Sequence, residues 1–379
     1  MQERGWSRKE VLAGLQKARR LDFSFEQGEI LGSMCTAPHE IAAAAHARFL
    51  ETNLGDPGHF PGTAGLEEEV LADLLELLHA PEGAAGRLVS GGTEANLLAC
   101  HLARLKTGRT EVVVPESAHF SFEKAARLMG LRLVTVPSRA DGHADAKGIA
   151  AAITDRTALV VAVAGTTELG LIDPIADIAR ACRHRDTLLH VDAAYGGYLL
   201  PFLREAGRKP IDFDFKLPGV WSLGIDPHKG GMATIPCGAL LLRHGTDWDL
   251  GAVESPYLST DTQSTLLGTR PGAAAASAWA VHRHLGRKGF ASVAETCLDN
   301  AAWLAARLPE VGVELVASPE LGVVTFHAKD PRALREALQG KGWSVNVVPR
   351  YKAIRIVANP HVTKAHLKRF LADLKACLA

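Results

Sequence analysis

TALVVAVAGTTELGLIDPIADIARACRHRDTLLHVDAA, residues 157–194, decides the fold. Thr157–Ala164 is an apolar run rich in β-branched valine with no polar alternation, the pattern of a strand covered on both faces. Helical apolar spacing follows over about 174–185, and TLLHV (187–191) is a second short buried run. Strand, helix and strand in that order read as a parallel crossover unit. The pattern extends in both directions. Upstream lie helical spacings at Leu66–Leu78 and Glu94–Lys106, then EVVVP (111–115), a helix near 119–129, LRLVTV (131–136) and a helix near 145–153. Downstream lie VWSLGI (220–225) and CGALLLR (237–243). The chain is therefore α/β, with a mainly parallel sheet sandwiched by helices. The last two strands are joined by a connection too short for a helical crossover, so one of them runs antiparallel.

After residue 270 the character changes. A helical tract over about 271–308 precedes LGVVTFHA, a helix at 331–339, WSVNVV, AIRIVA and a last helix at 363–377, which together read as a small α+β unit. The expected organisation is an N-terminal extension (1–60), a large domain (61–270) and a small C-terminal domain (271–379). The extension holds a helix over about 7–20 and another over about 38–53. It closes on NLGDPGHFPGTAG (53–65), a long Gly/Pro-rich segment of the kind that carries function in compact proteins.

Composition narrows the function classes. With 379 residues, 47% hydrophobic and 22% charged, the chain can build more than one core. Lys+Arg and Asp+Glu both number 42, so no basic field exists to hold nucleic acid or an anionic membrane. No apolar run is long enough to span a bilayer, and MQERGWSRKEVLAGLQKARR lacks the apolar centre of a signal peptide, so a cytoplasmic protein is expected. The six cysteines are scattered with no C-x-x-C pair, which fits buried thiols; Cys35 alone lies in a stretch that reads as functional. No H-E-x-x-H occurs, and His282 and His284 are two apart on a helix, facing different ways, so no metal site is expected.

Chemistry gathers at the carboxyl ends of the strands, where open α/β sheets bind ligands. Ser90-Gly91-Gly92-Thr93-Glu94-Ala95-Asn96 opens a helix whose free N–H groups and dipole would seat an anion, with Gly92 and Thr93 at the closest approach. Neither a Walker loop nor G-x-G-x-x-G is present, which disfavours ATP and NAD. His119 follows EVVVP; on its own, a histidine there is more often structural. Asp192 stands just past an apolar strand, where a carboxylate needs an arginine, backbone N–H groups or a protonated ring nitrogen. Lys229, in Asp-Pro-His-Lys, could extend harmlessly to water, or be a desolvated nucleophilic amine with a lowered pKa. Phosphate seat, planar-ring neighbour, carboxylate and lysine together describe a pyridoxal 5'-phosphate site.

The strings SMCTAPHEIA, ETNLGDPGHFPGT, LEEEV, SGGTEAN, GTTELGLIDPI, HVDAAYGGYLLPF, SLGIDPHKGGM, LLGTRPGAAAA and IRIVANPHVT occur in this order from residue 33 onward. In them the chain resembles group II pyridoxal-phosphate-dependent decarboxylases of fold type I, most closely the archaeal-type L-tyrosine/L-aspartate decarboxylases. The resemblance implies that Lys229 carries the cofactor, Asp192 partners its ring nitrogen, His119 stacks on the ring and Ala194 packs the opposite face. It also implies phosphate contacts from Gly92, Thr93, Ser222 and His228, with Gly268 and Thr269 reaching the phosphate from a second subunit of a homodimer. Thr166 and Thr167 match the Gly-Thr-Thr turn near the cofactor. Arg355 is similar to the arginine that receives the substrate α-carboxylate, and Tyr257 to a catalytic residue on a mobile loop. Two departures stand out. Pro271 replaces a small polar residue, tolerable at a helix start, and His59 replaces an apolar residue in a loop bordering the side-chain pocket.

The implied reaction is α-decarboxylation of an L-amino acid, L-aspartate to β-alanine or L-tyrosine to tyramine, with low aromatic content and His59 favouring aspartate. The alternative is a carbon–carbon lyase of the sphingosine-phosphate lyase type, which shares the cofactor and a similar Gly/Pro loop. That lyase would want further basic residues for a second phosphate and often carries a membrane anchor. A desulfurase or transaminase fits the His119 and Asp-Pro-His-Lys context less well, and an inert scaffold has no chemical need for Lys229, Asp192 and His119 together.

Overall fold

In the protein, seen here in a computed structural model that describes residues 1 and 3–378, seven strands form the central sheet. They are β1 (Ala85–Val89), β2 (Glu111–Pro115), β3 (Arg132–Val136), β4 (Thr157–Val163), β5 (Leu188–Asp192), β6 (Val220–Ile225) and β7 (Gly238–Leu242). Their order is β1-β7-β6-β5-β4-β2-β3. Strands β2 to β6 pair in parallel, and β7 is antiparallel to both β6 and β1. The antiparallel strand anticipated from the short connection is thus β7. Strand β1 escaped the sequence reading, because Gly86 and Arg87 interrupt an otherwise apolar five-residue stretch.

Alternation along the strands sorts their side chains to two faces. Leu159 and Val161 of β4 join Val112, Val114, Leu240 and Leu242 against helices α4 (Gly92–Thr107) and α5 (Ser121–Met129). Val160 and Ala162 join Val113, Leu189, Val191, Leu223 and Leu241 on the opposite face. There they pack under α3 (Pro61–Leu77), α6 (Ala146–Ala152), α7 (Ile175–His184) and the 34-residue α8 (Gly272–Ala305). All seven residues of β4 are buried, as a two-sided strand requires.

A second core follows, built on a three-stranded antiparallel sheet of β10 (Val323–His327), β12 (Ala353–Val357) and β11 (Asn346–Val348). It is covered by α9 (Pro331–Gly340) and α10 (Lys364–Leu378). The two-stranded ribbon of β8 (Val253–Glu254) and β9 (Thr262–Gln263) stands apart from both sheets. Helix α8 is broken at Gly286, whose φ of 54° lies outside the helical region. Its residues serve the first core as far as Leu298 and the second from Ala301 onward. Packing therefore changes hands some thirty residues beyond the position 270 read from sequence, because one long helix runs through both cores.

The N-terminal segment also serves both. Helix α1 (Arg8–Arg19) buries no residue, while α2 (Glu40–Arg48) buries Ala42 in the first core. Between them Leu31 enters the second core, and its N–H donates to the Ser344 carbonyl at 2.9 Å. No helix among the described residues is long and apolar enough to cross a membrane. Leu223, fully buried at the centre of β6, should cost about 2–5 kcal/mol of stability as Leu223→Ala; a denaturant midpoint that stays at the native value would contradict this packing.

Candidate active site

A cavity of about 280 Å3 opens at the carboxyl ends of β4, β5 and β6, facing the first turn of α4. Helix α4 begins at Gly92 without a side-chain cap, so its first-turn N–H groups remain available to an anion. The turn into it needs glycine twice over. Gly91 has a φ of 151°, and a Cβ on Gly238 would lie 2.4 Å from the Gly91 Cα. His228 packs on this turn, with its Cε1 3.1 Å from where a Gly91 Cβ would stand. Backbone can therefore meet a phosphate closely here, with an imidazole beside it.

Three charged groups share the cavity wall. Asp192 ends β5, while Asp226 and Lys229 follow β6 one helical turn apart, with Lys229 Nζ 3.0 Å from Asp226 Oδ2. Burial opposes the lysine's charge, but the carboxylates of Asp226 and Asp192 outweigh it and raise its pKa. Without a bound partner Lys229 is thus held as an ammonium, the reverse of the lowered pKa expected for a lysine beside another cation. The other Asp226 oxygen, Oδ1, is buried without a hydrogen-bond partner. Asp192 is served on both oxygens: Oδ1 accepts the Ala194 N–H at 3.1 Å and Oδ2 the Asn96 side-chain N–H at 2.8 Å. His119 lies half-buried at the rim beside Phe120, ring centroids 4.0 Å apart. Burial pushes its imidazole pKa down, against the pull of Asp192, so the ring is neutral near pH 7.

Residues 39–329 match the pyridoxal-dependent decarboxylase conserved domain. The chain belongs to the pyridoxal-dependent decarboxylase family. It is 45% identical over 356 residues to a probable L-tyrosine/L-aspartate decarboxylase of Methanothermobacter thermautotrophicus, covering 93% of this chain and 98% of that one. It is 42% identical over 378 residues to an L-aspartate decarboxylase of Thermococcus kodakarensis, covering 98% of each. Among solved structures, a sphingosine-1-phosphate lyase of Burkholderia pseudomallei superposes with a TM-score of 0.91 at 28% identity, covering 100% of this chain and 92% of that one. The fold is that of fold type I pyridoxal-phosphate enzymes, and the chain is an enzyme that uses pyridoxal phosphate.

The residues present fit that cofactor. The uncapped α4 start and the Gly91–Gly238 corner suit its phosphate. Each Asp192 oxygen keeps a lone pair for a protonated ring nitrogen. Lys229 reaches the same space, and loss of its charge there would leave Asp226 to His228, whose Nε2 lies 3.7 Å from Oδ2.

Not every residue anticipated for this decarboxylase's site lines the cavity. Gly92, Thr93, His119, Thr167, Asp192, Ala194, His228 and Lys229 do. Ser222 does not. It sits two positions inside β6, opposite His190 in the register, and its hydroxyl pairs with His190 Nδ1 at 2.8 Å. Thr166 is also withdrawn, its hydroxyl accepting the Leu171 N–H at 3.1 Å to shape the turn. Arg355 lies behind Thr167: its terminal nitrogens donate to the Thr167 and Gly32 carbonyls, each at 2.6 Å, and its buried Nε has no partner.

His59, Tyr257, Gly268 and Thr269 are exposed on one continuous surface outside this chain's own cavity. His59 Nε2 stands 3.4 Å from Asp56 Oδ2, the Gly58 N–H donates to Ser259 Oγ at 2.8 Å, and Gln263 donates to the Gly268 carbonyl at 3.1 Å. Arg270 anchors this surface to the fold, through Glu67 at 2.5 Å and the Leu54 carbonyl at 2.7 Å.

Sequence reading missed Asn96, Ser121, His190 and Asp226. Two of them carried a signal: His190 alternates with Asp192 and so shares its face, and Asp226 precedes Lys229 by three. Burial holds His190 neutral, its pKa pushed down to about 4 from 6.5. The unfolded chain takes a proton below pH 6.5 that the folded one refuses until about 4, so stability should fall as pH drops through that window, by on the order of 3 kcal/mol from this residue. Denaturant midpoints across the window should fall less steeply in His190→Gln; parallel curves would refute the assignment.

Proposed function

We propose that this enzyme decarboxylates L-aspartate to β-alanine, with L-tyrosine as a second substrate, as a cytoplasmic homodimer. The observation that carries the reading is the juxtaposition of an uncapped helix start, a doubly hydrogen-bonded carboxylate and a lysine around one cavity. Aspartate stands in the names of both relatives above, which supports it over tyrosine alone. Those names at 42–45% identity also support loss of carbon dioxide over the carbon–carbon cleavage suggested by the 28% identical lyase. Six free thiols, four of them buried, support a reducing compartment.

Pyridoxal phosphate, when bound, supplies an electron sink for the pair released as the bond between Cα and the carboxylate breaks. The chain's own residues arrange that event. Gly92, Thr93 and His228 are placed to bind a phosphate. Asp192, fixed on both oxygens, would hold a proton on a ring nitrogen. Arg355, whose Nε has no partner and whose guanidinium is clamped by two carbonyls, is the receptor we assign to the substrate's α-carboxylate. Lys229 and His119 border the same space and can each deliver a proton to Cα. Glu168 follows Thr167, its carboxyl pKa raised by burial against the pull of Arg350 and Arg355, which places a further group of adjustable charge at the rim.

Carbon dioxide release by the cofactor-loaded enzyme, from L-aspartate, L-tyrosine and L-glutamate in parallel, tests the reading; the expected order puts aspartate first. Lys229→Ala should abolish both turnover and the cofactor's bound absorbance. Asp192→Ala should keep the cofactor yet slow turnover by about a thousandfold or more. Turnover in the lysine variant, or a near-native rate in the aspartate variant, would overturn these roles.

The exposed positions of Tyr257, Gly268 and Thr269 support their service in a second subunit's site. Inactive Lys229→Ala and Tyr257→Phe chains, mixed and allowed to exchange subunits, should regain activity if Tyr257 acts across the dimer. A mixture no more active than its parts would place Tyr257 in its own chain's site or outside catalysis.

A further inference from the structure

From Asn96 in the cavity wall runs a chain of side chains that no role described so far uses: Asn96 itself with Ser121, His190 and Ser222 behind it, each buried to within 1% of full. Asn96 is the branch point. Its Nδ2 lies 2.8 Å from Asp192 Oδ2 and 2.9 Å from Ser121 Oγ, and its Oδ1 lies 2.9 Å from His190 Nε2.

The protons of this network follow from one constraint. Asp192 is a carboxylate, so only the N–H end of the amide can face it, because a reversed amide would set oxygen against oxygen. The two N–H bonds of Asn96 therefore go to Asp192 and to Ser121. Its carbonyl oxygen then needs a donor, and His190 Nε2 must carry the proton. His190 is neutral, so its Nδ1 accepts from the Ser222 hydroxyl at 2.8 Å. On the other branch Ser121 Oγ, already accepting from Asn96, turns its own proton to His119 Nδ1 at 3.0 Å. The Ser121 backbone N–H donates to the same nitrogen at 3.2 Å. His119 Nδ1 is thus an acceptor twice over, and the neutral ring carries its proton on Nε2.

We propose that Asn96 is a positioning residue whose forked amide fixes Asp192 as an oriented carboxylate and, through Ser121, fixes His119 as the tautomer protonated at Nε2. The role rests on the pyridoxal-phosphate reading of the cavity. Asn96, Ser121, His190 and Ser222 are buried, and each bond among them has a single compatible proton arrangement. The groups facing His119 are Asp192, Asp226, Lys229 and Lys124, with the Phe120 ring beside it. Those facing Asp192 include Asn96, the Ala194 N–H, Lys229 and His119. Removing Asn96 would change the orientation of Asp192, which it touches, and the tautomer of His119, which it reaches only through Ser121.

Two variants of the cofactor-loaded enzyme separate the branches. Asn96→Asp sets a second carboxylate against Asp192, and the pair must then keep one proton. The bound cofactor's absorbance, titrated without substrate, should gain a step or move by about one pH unit or more. Ser121→Ala leaves the bond from Asn96 to Asp192 in place and takes from His119 Nδ1 its hydroxyl donor, leaving only the backbone N–H at 3.2 Å. Its absorbance titration should match the native one, while kcat falls about tenfold, KM stays within about twofold, and the pH profile of kcat/KM shifts. A native titration in Asn96→Asp, or a native profile and rate in Ser121→Ala, would overturn the proposal.

Should Asn96→Asp fail to fold, by its circular dichroism, the Ser121→Ala profile decides alone. A native enzyme that releases no carbon dioxide from any amino acid tried would instead overturn the decarboxylase reading. The absorbance titration, which needs no substrate, still judges Asn96 on its own.

Discussion

Asp192, Asp226 and Lys229 lie at the ends of two buried strands, where a charge without partners would cost several kcal/mol. The surrounding structure is organised around meeting that cost. Asp226 and Lys229 neutralise one another, and Asp192 is met by an amide from α4 and a backbone N–H from the turn after β5. Helix α4 must therefore lie across the ends of β5 and β6 at hydrogen-bonding distance, and the register that sets Asp192 against Gly224 keeps the space between them clear. The glycine corner at its start follows from the same close approach.

Much of this was legible from the amino-acid sequence. The buried β-branched runs mark the parallel strands because a strand covered on both faces has no reason to alternate. The short Asp226–Cys237 connection forces the reversal that β7 displays. What escaped has physical causes. β1 carries Gly86 and Arg87 because it lies at the sheet's edge, where an arginine can lie along Trp248 and still meet water. Asn96 hides inside a helix that reads as an ordinary amphipathic segment, since an amide gives no sign of what it will face. Ser222 was drawn toward the ligand by the motif around it, but it lies three residues short of the carboxyl end of β6, well inside the sheet.

Tyr257, His59, Gly268 and Thr269 show a different limit. Their motif strings stand beside those of Lys229 and Asp192 in the sequence, yet these four residues lie on the exposed surface outside the cavity. The loops bearing these residues are tied to one another by Asp56, Ser259 and Gln263, and to the fold by Arg270 and Glu67. They form a prepared surface over a separate cavity lined by Gly55, Pro57, Gln263 and Arg270, whereas Lys229, Asp192 and His119 surround the cavity at the strand ends. Only three-dimensional placement separates the two sets.

The contact of Gly91 with Gly238 has an evolutionary consequence. A side chain at Gly238 would collide with the Gly91 backbone, and one at Gly91 would press on the His228 ring from a backbone conformation that favours glycine, so this corner admits almost no variation however the enzyme's task changes. The exposed loops at 55–60 and 255–269 meet through a similar contact, where a Cβ on Gly55 would lie 1.9 Å from the Gly268 carbonyl oxygen, but side chains such as His59 and Tyr257 point to solvent. Change is therefore tolerated at those solvent-facing side chains, His59 among them, and hardly at all at the glycine corner beneath.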